Sequence, residues 1–251
     1  MLLIYHHVAP VHAIPKSQPA DEAWNLNHTP EEFEAQLTAL RSAGFYFSTL
    51  QGVVGRINSG EEEDPRSLVV TFDDGWMDQF AHAVPILKRL NIPAIFFVTT
   101  NHLRPEGAKD ARRMPAEVLS SLVQDGMEIG AHSRSHPDLA ALGAAAIESE
   151  VRGSKDDLES ALGRGVEFFA YPGGSFNAGV VASVRRAQFE AATSSLGPAR
   201  NDATSLFWMF RDTLSPRMTS PRDRYRLSTL AREVFEFRVR RRLRNKLRGQ
   251  G

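Results

Sequence analysis

The 251-residue sequence predicts an α/β fold, a (β/α) barrel with helices between parallel strands, and three observations predict it. Short apolar runs of strand length alternate with stretches of helical periodicity. Apolar residues make up 42% of the chain and charged residues 24%, an ordinary globular balance, and the length suits one large barrel. Several apolar runs end in titratable residues, and in such barrels the chemistry gathers at the C-terminal ends of the strands.

The elements follow in order. Residues 2–6 read as the first strand. Thr29-Pro30-Glu31-Glu32 opens a helix: Thr29 is the cap, Pro30 sits in the first turn and acidic residues lie near the positive end. Phe33, Leu37 and Leu40 form its apolar stripe and Gly44 ends it. Further strands are expected over 68–72, 94–98, 127–131, 167–171, 189–193 and 206–211. Helices are expected over 77–90, 115–125, 144–162 and 178–186. Polar, irregular residues 9–28 and 101–114 are read as surface loops over the barrel mouth, and residues 58–67 as an acidic solvated loop.

Bulk properties exclude several classes. Formal net charge is zero, so no whole-molecule attraction to nucleic acid is indicated. Cysteine is absent, which removes disulfides and thiolate metal sites. No apolar run approaches the ~18 residues of a membrane span. Met1-Leu2-Leu3-Ile4-Tyr5-His6-His7 lacks a basic start and runs into fold sequence, so it does not read as a secretory signal, and a cytoplasmic protein is expected.

Two stretches carry chemistry. Leu68-Val69-Val70-Thr71-Phe72-Asp73-Asp74-Gly75 is an apolar strand that delivers two carboxylates at its tip. Glu128-Ile129-Gly130-Ala131-His132-Ser133-Arg134-Ser135-His136 offers two imidazoles four residues apart. Taken singly, the first reads as a turn or helix cap and the second as two surface histidines. Together, each after a strand, they supply one carboxylate and two imidazoles for a divalent metal, with a second carboxylate left over as a base.

With these residues the chain resembles the polysaccharide deacetylases that carry a NodB-type domain (carbohydrate esterase family 4). Thr71-Phe72-Asp73-Asp74-Gly75 is similar to the family's first motif. Pro85-Ile86-Leu87-Lys88 and Pro93-Ala94-Ile95-Phe96-Phe97-Val98 match the segment after it. Glu128 to Pro137 resembles the second motif. Ser154-Lys155-Asp156-Asp157-Leu158-Glu159 and Phe169-Ala170-Tyr171-Pro172-Gly173-Gly174 resemble the third region. The resemblance covers roughly residues 1–215. It implies a distorted barrel of seven strands, with residues 1–221 as one NodB-like domain; residues 222–251 read separately, from their charge and spacing, as a basic amphipathic helix or tail.

The resemblance also implies roles. Asp74, His132 and His136 would hold one divalent ion; carboxylate with imidazole suits Zn, and also Co, Ni or Fe. The ion would polarise an acyl carbonyl and acidify a water, and Asp73 would take the water's proton. Many family members use a C-terminal histidine as the acid, and this chain has none after His136. A subset resembling the poly-N-acetylglucosamine deacetylases carries a Tyr-His pair on its first strand, which Tyr5-His6 matches. Strand side chains alternate, so only one of His6 and His7 can face the barrel, and the motif favours His6.

Ala170 and Gly173 stand where most members have Arg and Tyr. A backbone amide near Gly173 or Gly174 would then help to hold the oxyanion. Arg211 is the substitute cationic partner of Asp73, or else a salt-bridged scaffold residue. Trp76, Tyr171, Phe176 and Trp208 are either walls for a sugar ring or core packing. The histidines at 12, 28, 82 and 102 show no ligand spacing and read as surface residues.

Residues 222–248 hold ten Arg and one Lys against Asp223, Glu233 and Glu236, an excess of +8. Leu227, Leu230, Val234 and Phe237, then Phe235, Val239, Leu243 and Leu247, recur at helical spacing. A helix of this kind can lie on the anionic inner face of a membrane, or pack and leave a solvated tail. RNA binding is a weaker option because aromatic residues are sparse, and no specific nucleic acid is expected. The expected activity is removal of an N-acetyl or similar small acyl group from an amino sugar of a glycan or its precursor. The rivals are amide or imide hydrolysis on a non-sugar substrate and a silent carbohydrate-binding module.

Overall fold

The structure is a computed structural model that describes residues 1–10, 27–61, 64, 66–103, 111–196 and 201–212. His12, most of the 9–28 segment and the basic segment 222–248 lie outside the described residues.

Strand β1 (Leu2–Tyr5) leads into a two-residue parallel pair, β2 (His7–Val8) with β3 (Asn27–His28). Helix α1 (Pro30–Ser42) starts on a capping box: Glu32 N donates to Thr29 Oγ1 at 3.2 Å, and Thr29 N donates to the Glu32 carboxylate at 2.9 Å. Then come β4 (Tyr46–Phe47), α2 (Leu50–Asn58) and β5 (Ser67–Phe72). A single π turn, Gln79–Ala83, precedes α3 (Val84–Leu90). The rest is regular alternation: β6 (Ala94–Val98), α4 (Ala116–Gln124), β7 (Glu128–Ala131), α5 (Ala144–Leu162), β8 (Phe168–Ala170), α6 (Ala178–Arg186), β9 (Ala191–Ser194) and β10 (Met209–Asp212).

Seven parallel strands close the barrel in the order β1-β10-β9-β8-β7-β6-β5, and β5 pairs back to β1 with Leu2 opposite Val69 and Tyr5 opposite Phe72. The short β4 adds to the start of β5 as an extra edge. Neighbouring residues on each strand belong to two different cores. Leu2, Val69, Ile95, Phe97, Phe168, Ala191 and Met209 fill the interior. Leu3, Tyr5, Val70, Phe72, Phe96 and Phe169 pack outward under the helices. Gly130 on β7 is required by the inner core: a Cβ there would come within 2.5 Å of the Phe97 ring.

Helix α2 is the element the sequence hides, because Gly52, Gly55 and the β-branched Val53 and Val54 all lower helix propensity. Tertiary burial overrides that preference. Leu50, Val53, Val54 and Ile57 recur at helical spacing and join the interior core as its floor. Thr49 caps its start by accepting from Gly52 N at 3.0 Å.

Two other expectations are corrected. The helix expected over 77–90 forms over that range but is not regular, since Pro85 has no N–H to give to the preceding turn and the chain widens to a π turn before it. His28, expected at the surface, is fully buried, with its ring 5.1 Å from that of Tyr5. It belongs to β3, in a segment expected to be irregular.

Candidate metal centre

The site is assembled at the C-terminal ends of β5, β7, β1 and β10. Interior parity on β5 runs through Val69 and Thr71 to Asp73, whose amide still bonds Tyr5 O at 3.1 Å. On β10 the same parity runs from Met209 to Arg211. The two meet: Arg211 Nη1 lies 2.5 Å from Asp73 Oδ1 and Nη2 lies 2.7 Å from Oδ2. Nη1 also reaches Thr71 Oγ1 at 3.1 Å, and Thr71 Oγ1 donates to Leu3 O at 2.9 Å. Both members of the ion pair are almost fully buried, Asp73 at 2% and Arg211 at 1% exposure. Burial by itself would raise the Asp73 pKa, but the Arg211 charge, then that of His132, and the Arg211 hydrogen bonds hold it well below the usual carboxylate range.

The next residue leaves the strand abruptly. Asp74 has φ +75° and Gly75 φ +74°, so a non-glycine residue sits in the left-handed region. Such a conformation costs about 1–3 kcal/mol and persists where surroundings over-determine it. Here the Asp74 carbonyl accepts from Arg113 Nη1 at 2.6 Å and Thr99 Oγ1 at 3.2 Å, and Asp74 Oδ2 accepts from Trp76 Nε1 at 3.0 Å.

His132 follows β7 and is 1% exposed. Its Nδ1 lies 2.8 Å from Ala170 O, so the proton sits on Nδ1 and the Nε2 lone pair faces the carboxylates. Burial lowers its pKa to about 4, which keeps the ring neutral, the form that ligates a metal. His136 is reached through a loop with two more left-handed residues, Ser133 at φ +58° and His136 itself at φ +60°. Helix α5 holds that loop. Glu150 accepts from the amides of Arg134 and Ser135, each at 2.9 Å, and Asp157 grips the Arg134 guanidinium at 2.9 and 3.0 Å. A Cβ at Gly153 would lie 2.2 Å from that guanidinium, so α5 needs glycine where Arg134 crosses it.

Asp74 Oδ1 ends 3.7 Å from His132 Nε2 and 3.6 Å from His136 Nε2, and one donor atom from each residue lies within 4.8 Å of the others. Metal–donor bonds of about 2.0–2.2 Å span such a triangle. One carboxylate oxygen and two imidazole nitrogens suit a divalent ion, so the residues fit the group the sequence implies.

His6 and His7 separate as strand alternation demands. Leu2 belongs to the interior core, whereas Leu3 and Tyr5 belong to the outer one, and the same alternation places His6 on the inner side. Burial lowers its pKa, opposed by Asp73 and then Asp74, and its buried Nδ1 has no protein partner. His7 instead bonds Asp78 Oδ2 through Nδ1 at 2.6 Å, with its ring 4.9 Å from Trp76.

The remaining candidates divide. Gly173 and Gly174, at φ +59° and +71°, form a tight turn after β8. The Gly174 amide is taken by Tyr171 O at 2.9 Å. Tyr171 is not a wall of the cleft. Its outward parity buries the ring completely against Phe169 and Phe176, and its hydroxyl donates to Phe207 O at 2.7 Å. Phe176 and Trp208 remain half-buried, with stacked rings 6.4 Å apart.

Sequence reasoning missed Gln79, whose Nε2 donates to the carbonyls of both His6 and Asp73 at 2.6 Å, tying the two strand ends together. A polar residue on the buried side of a helix is the signal that marks it. It also missed Arg113 and Glu150, whose roles depend on contacts far along the chain.

The sequence pattern of the polysaccharide deacetylase family matches residues 60–192, more than half of the chain. A poly-beta-1,6-N-acetyl-D-glucosamine N-deacetylase of Staphylococcus aureus is 25% identical over 196 residues, 72% of this chain and 67% of that protein. Two solved structures share the fold. The Streptococcus pyogenes deacetylase PplD, in complex with acetate, has a TM-score of 0.75 at 24% identity, covering 87% of this chain and 93% of that one. IcaB from Ammonifex degensii has a TM-score of 0.72 at 23% identity, covering 92% and 95%. With a family match that spans β5 to β9 and includes Asp73, Asp74, His132 and His136, the chain belongs to the polysaccharide deacetylase family.

Proposed function

We propose that the protein is a metal-dependent N-deacetylase that hydrolyses N-acetyl groups on amino sugars of a glycan or glycan precursor. The observation that carries the reading is the pairing of an ionised, buried Asp73 with an adjacent three-donor group, Asp74, His132 and His136. A divalent ion held by that group, zinc in our reading and Co, Ni or Fe by the same donors, would supply Lewis-acid polarisation of the acyl carbonyl and a more acidic water.

The chain's own groups do the rest. Asp73 accepts the proton of the attacking water, and its bidentate link to Arg211 keeps it ionised and aimed. The Gly173 amide is the oxyanion donor we infer, because that of Gly174 is already engaged. His6 gives the leaving amine its proton; it lies on the inner side at the end of β1, near Asp73 and Asp74, and its buried Nδ1 has no protein partner. A sugar substrate is supported by the likeness to the N-deacetylase of poly-beta-1,6-N-acetyl-D-glucosamine.

The test is acetate release from N-acetylated oligosaccharides by protein stripped of metal and reloaded with zinc. His132→Ala and His136→Ala should lose bound metal and turnover together. Asp73→Asn should keep the metal and lose about 10²–10⁴-fold in turnover. Near-normal turnover by Asp73→Asn, or no acetate from any N-acetylated sugar, would sink the reading.

A further inference from the structure

We propose that Trp76 is a positioning residue for the metal ligand Asp74: its indole N–H occupies Oδ2, so that Asp74 offers a single oxygen, Oδ1, to the ion. This deepens the metal reading above and rests on it.

The two oxygens of Asp74 have different surroundings. Oδ1 faces both imidazoles, at 3.7 and 3.6 Å. Oδ2 accepts from Trp76 Nε1 at 3.0 Å. Without that bond a partly exposed carboxylate is free to rotate and close on the ion with both oxygens, which uses one more coordination position and one fewer for water and substrate.

The indole is held as firmly as the carboxylate. Trp76 and Arg113 form an antiparallel backbone bridge, flanked by Met77 N to Arg112 O at 2.7 Å and Met114 N to Gly75 O at 2.9 Å. The Arg113 guanidinium lies 3.3 Å from the centre of the Trp76 ring, and its Nη1 bonds the Asp74 carbonyl at 2.6 Å. One residue therefore fixes both the ring and the strained backbone of the ligand. The His7 ring, 4.9 Å away, packs on the same indole. A stacking wall for a sugar needs an open aromatic face, and Arg113 covers one.

The experiment loads the full-length protein with Co²⁺, whose visible absorption reports coordination number, and measures affinity by chelator competition. Trp76→Phe keeps the ring and loses the N–H. It should bind Co²⁺ about 10–100-fold more weakly, with weaker visible absorption as a second carboxylate oxygen enters the shell. Arg113→Met should shift both readouts in the same direction by less.

Co²⁺ affinity within about twofold of wild type and an unchanged spectrum in Trp76→Phe would overturn the proposal. So would a raised KM for an N-acetylated oligosaccharide with unchanged Co²⁺ binding, which would make Trp76 a substrate wall. A lowered unfolding midpoint with the same spectrum would overturn it too, leaving a packing role. If Trp76→Phe does not fold, wild-type behaviour of Arg113→Met is the overturning result. Wild-type protein that takes up no Co²⁺ overturns the metal reading itself, a result distinct from all of these.

Discussion

The two ends of the barrel use carboxylates in opposite ways, and a single strand, β7, carries both uses. At its first residue Glu128 accepts from the amides of Leu50 and Gln51 at 2.7 and 2.8 Å, closing the floor by capping α2. Just past its last residue, roughly 13 Å away at strand spacing, His132 faces Asp73 and Asp74. At the floor the charge is answered by a helix start, and the left-handed residues there, Asn91 and Gln188, only turn a helix end into the next strand. At the mouth the carboxylates are answered by side chains from distant strands, and three non-glycine residues, Asp74, Ser133 and His136, are held at positive φ. Left-handed residues that carry donor side chains and the buried ion pair gather where chemistry is expected, whereas the floor uses its charge to cap a helix.

The contrast is broken most forcefully at Arg211. Arg211→Met strands the buried Asp73 charge and should cost about 3–5 kcal/mol in urea unfolding. Adding Asp73→Asn should recover most of that stability without restoring activity. A double variant as unstable as the single one would mean that Arg211 supports the fold apart from Asp73.

Acidification of metal-free protein should give the next largest effect. His132 is depressed to about 4 by burial, whereas an unfolded histidine titrates near 6.5. Between those values the unfolded chain binds more protons, so stability falls as pH drops through that window, by on the order of 3 kcal/mol in full. His132→Asn should flatten the slope. A wild-type midpoint that does not change from pH 6.5 to 4.5 would contradict a buried neutral imidazole.

The smallest effect belongs to the floor. Glu128→Gln weakens the cap on α2 and should cost about 1–2 kcal/mol, with metal affinity and turnover kept near wild type. A loss of turnover beyond that of stability would show that floor and mouth are coupled.

Much of this was legible locally. The alternation of strands and helices, the capping box at Thr29 and the two motif stretches occupy a few residues each, and the structure returns the seven strands near their expected positions. Helix α2 was not legible, since its glycines and valines argue against a helix until the open end of the barrel offers them burial. His28 was misjudged, and Tyr171 left open between wall and core, for a related reason. Residue type gives no measure of which side of a strand a ring falls on once the barrel has closed.

By itself, then, the sequence determined the period of most elements and their caps, because these depend on neighbours within a few positions, and it named Asp74, His132 and His136 as candidate donors. Closure of the barrel decided the rest. It set Arg211 against Asp73 across 138 residues, brought Gln79 to both strand ends, and laid Arg113 on Trp76. Such contacts exist only when β1 pairs with both β10 and β5, so their geometry is a property of the closed sheet, which no local stretch encodes.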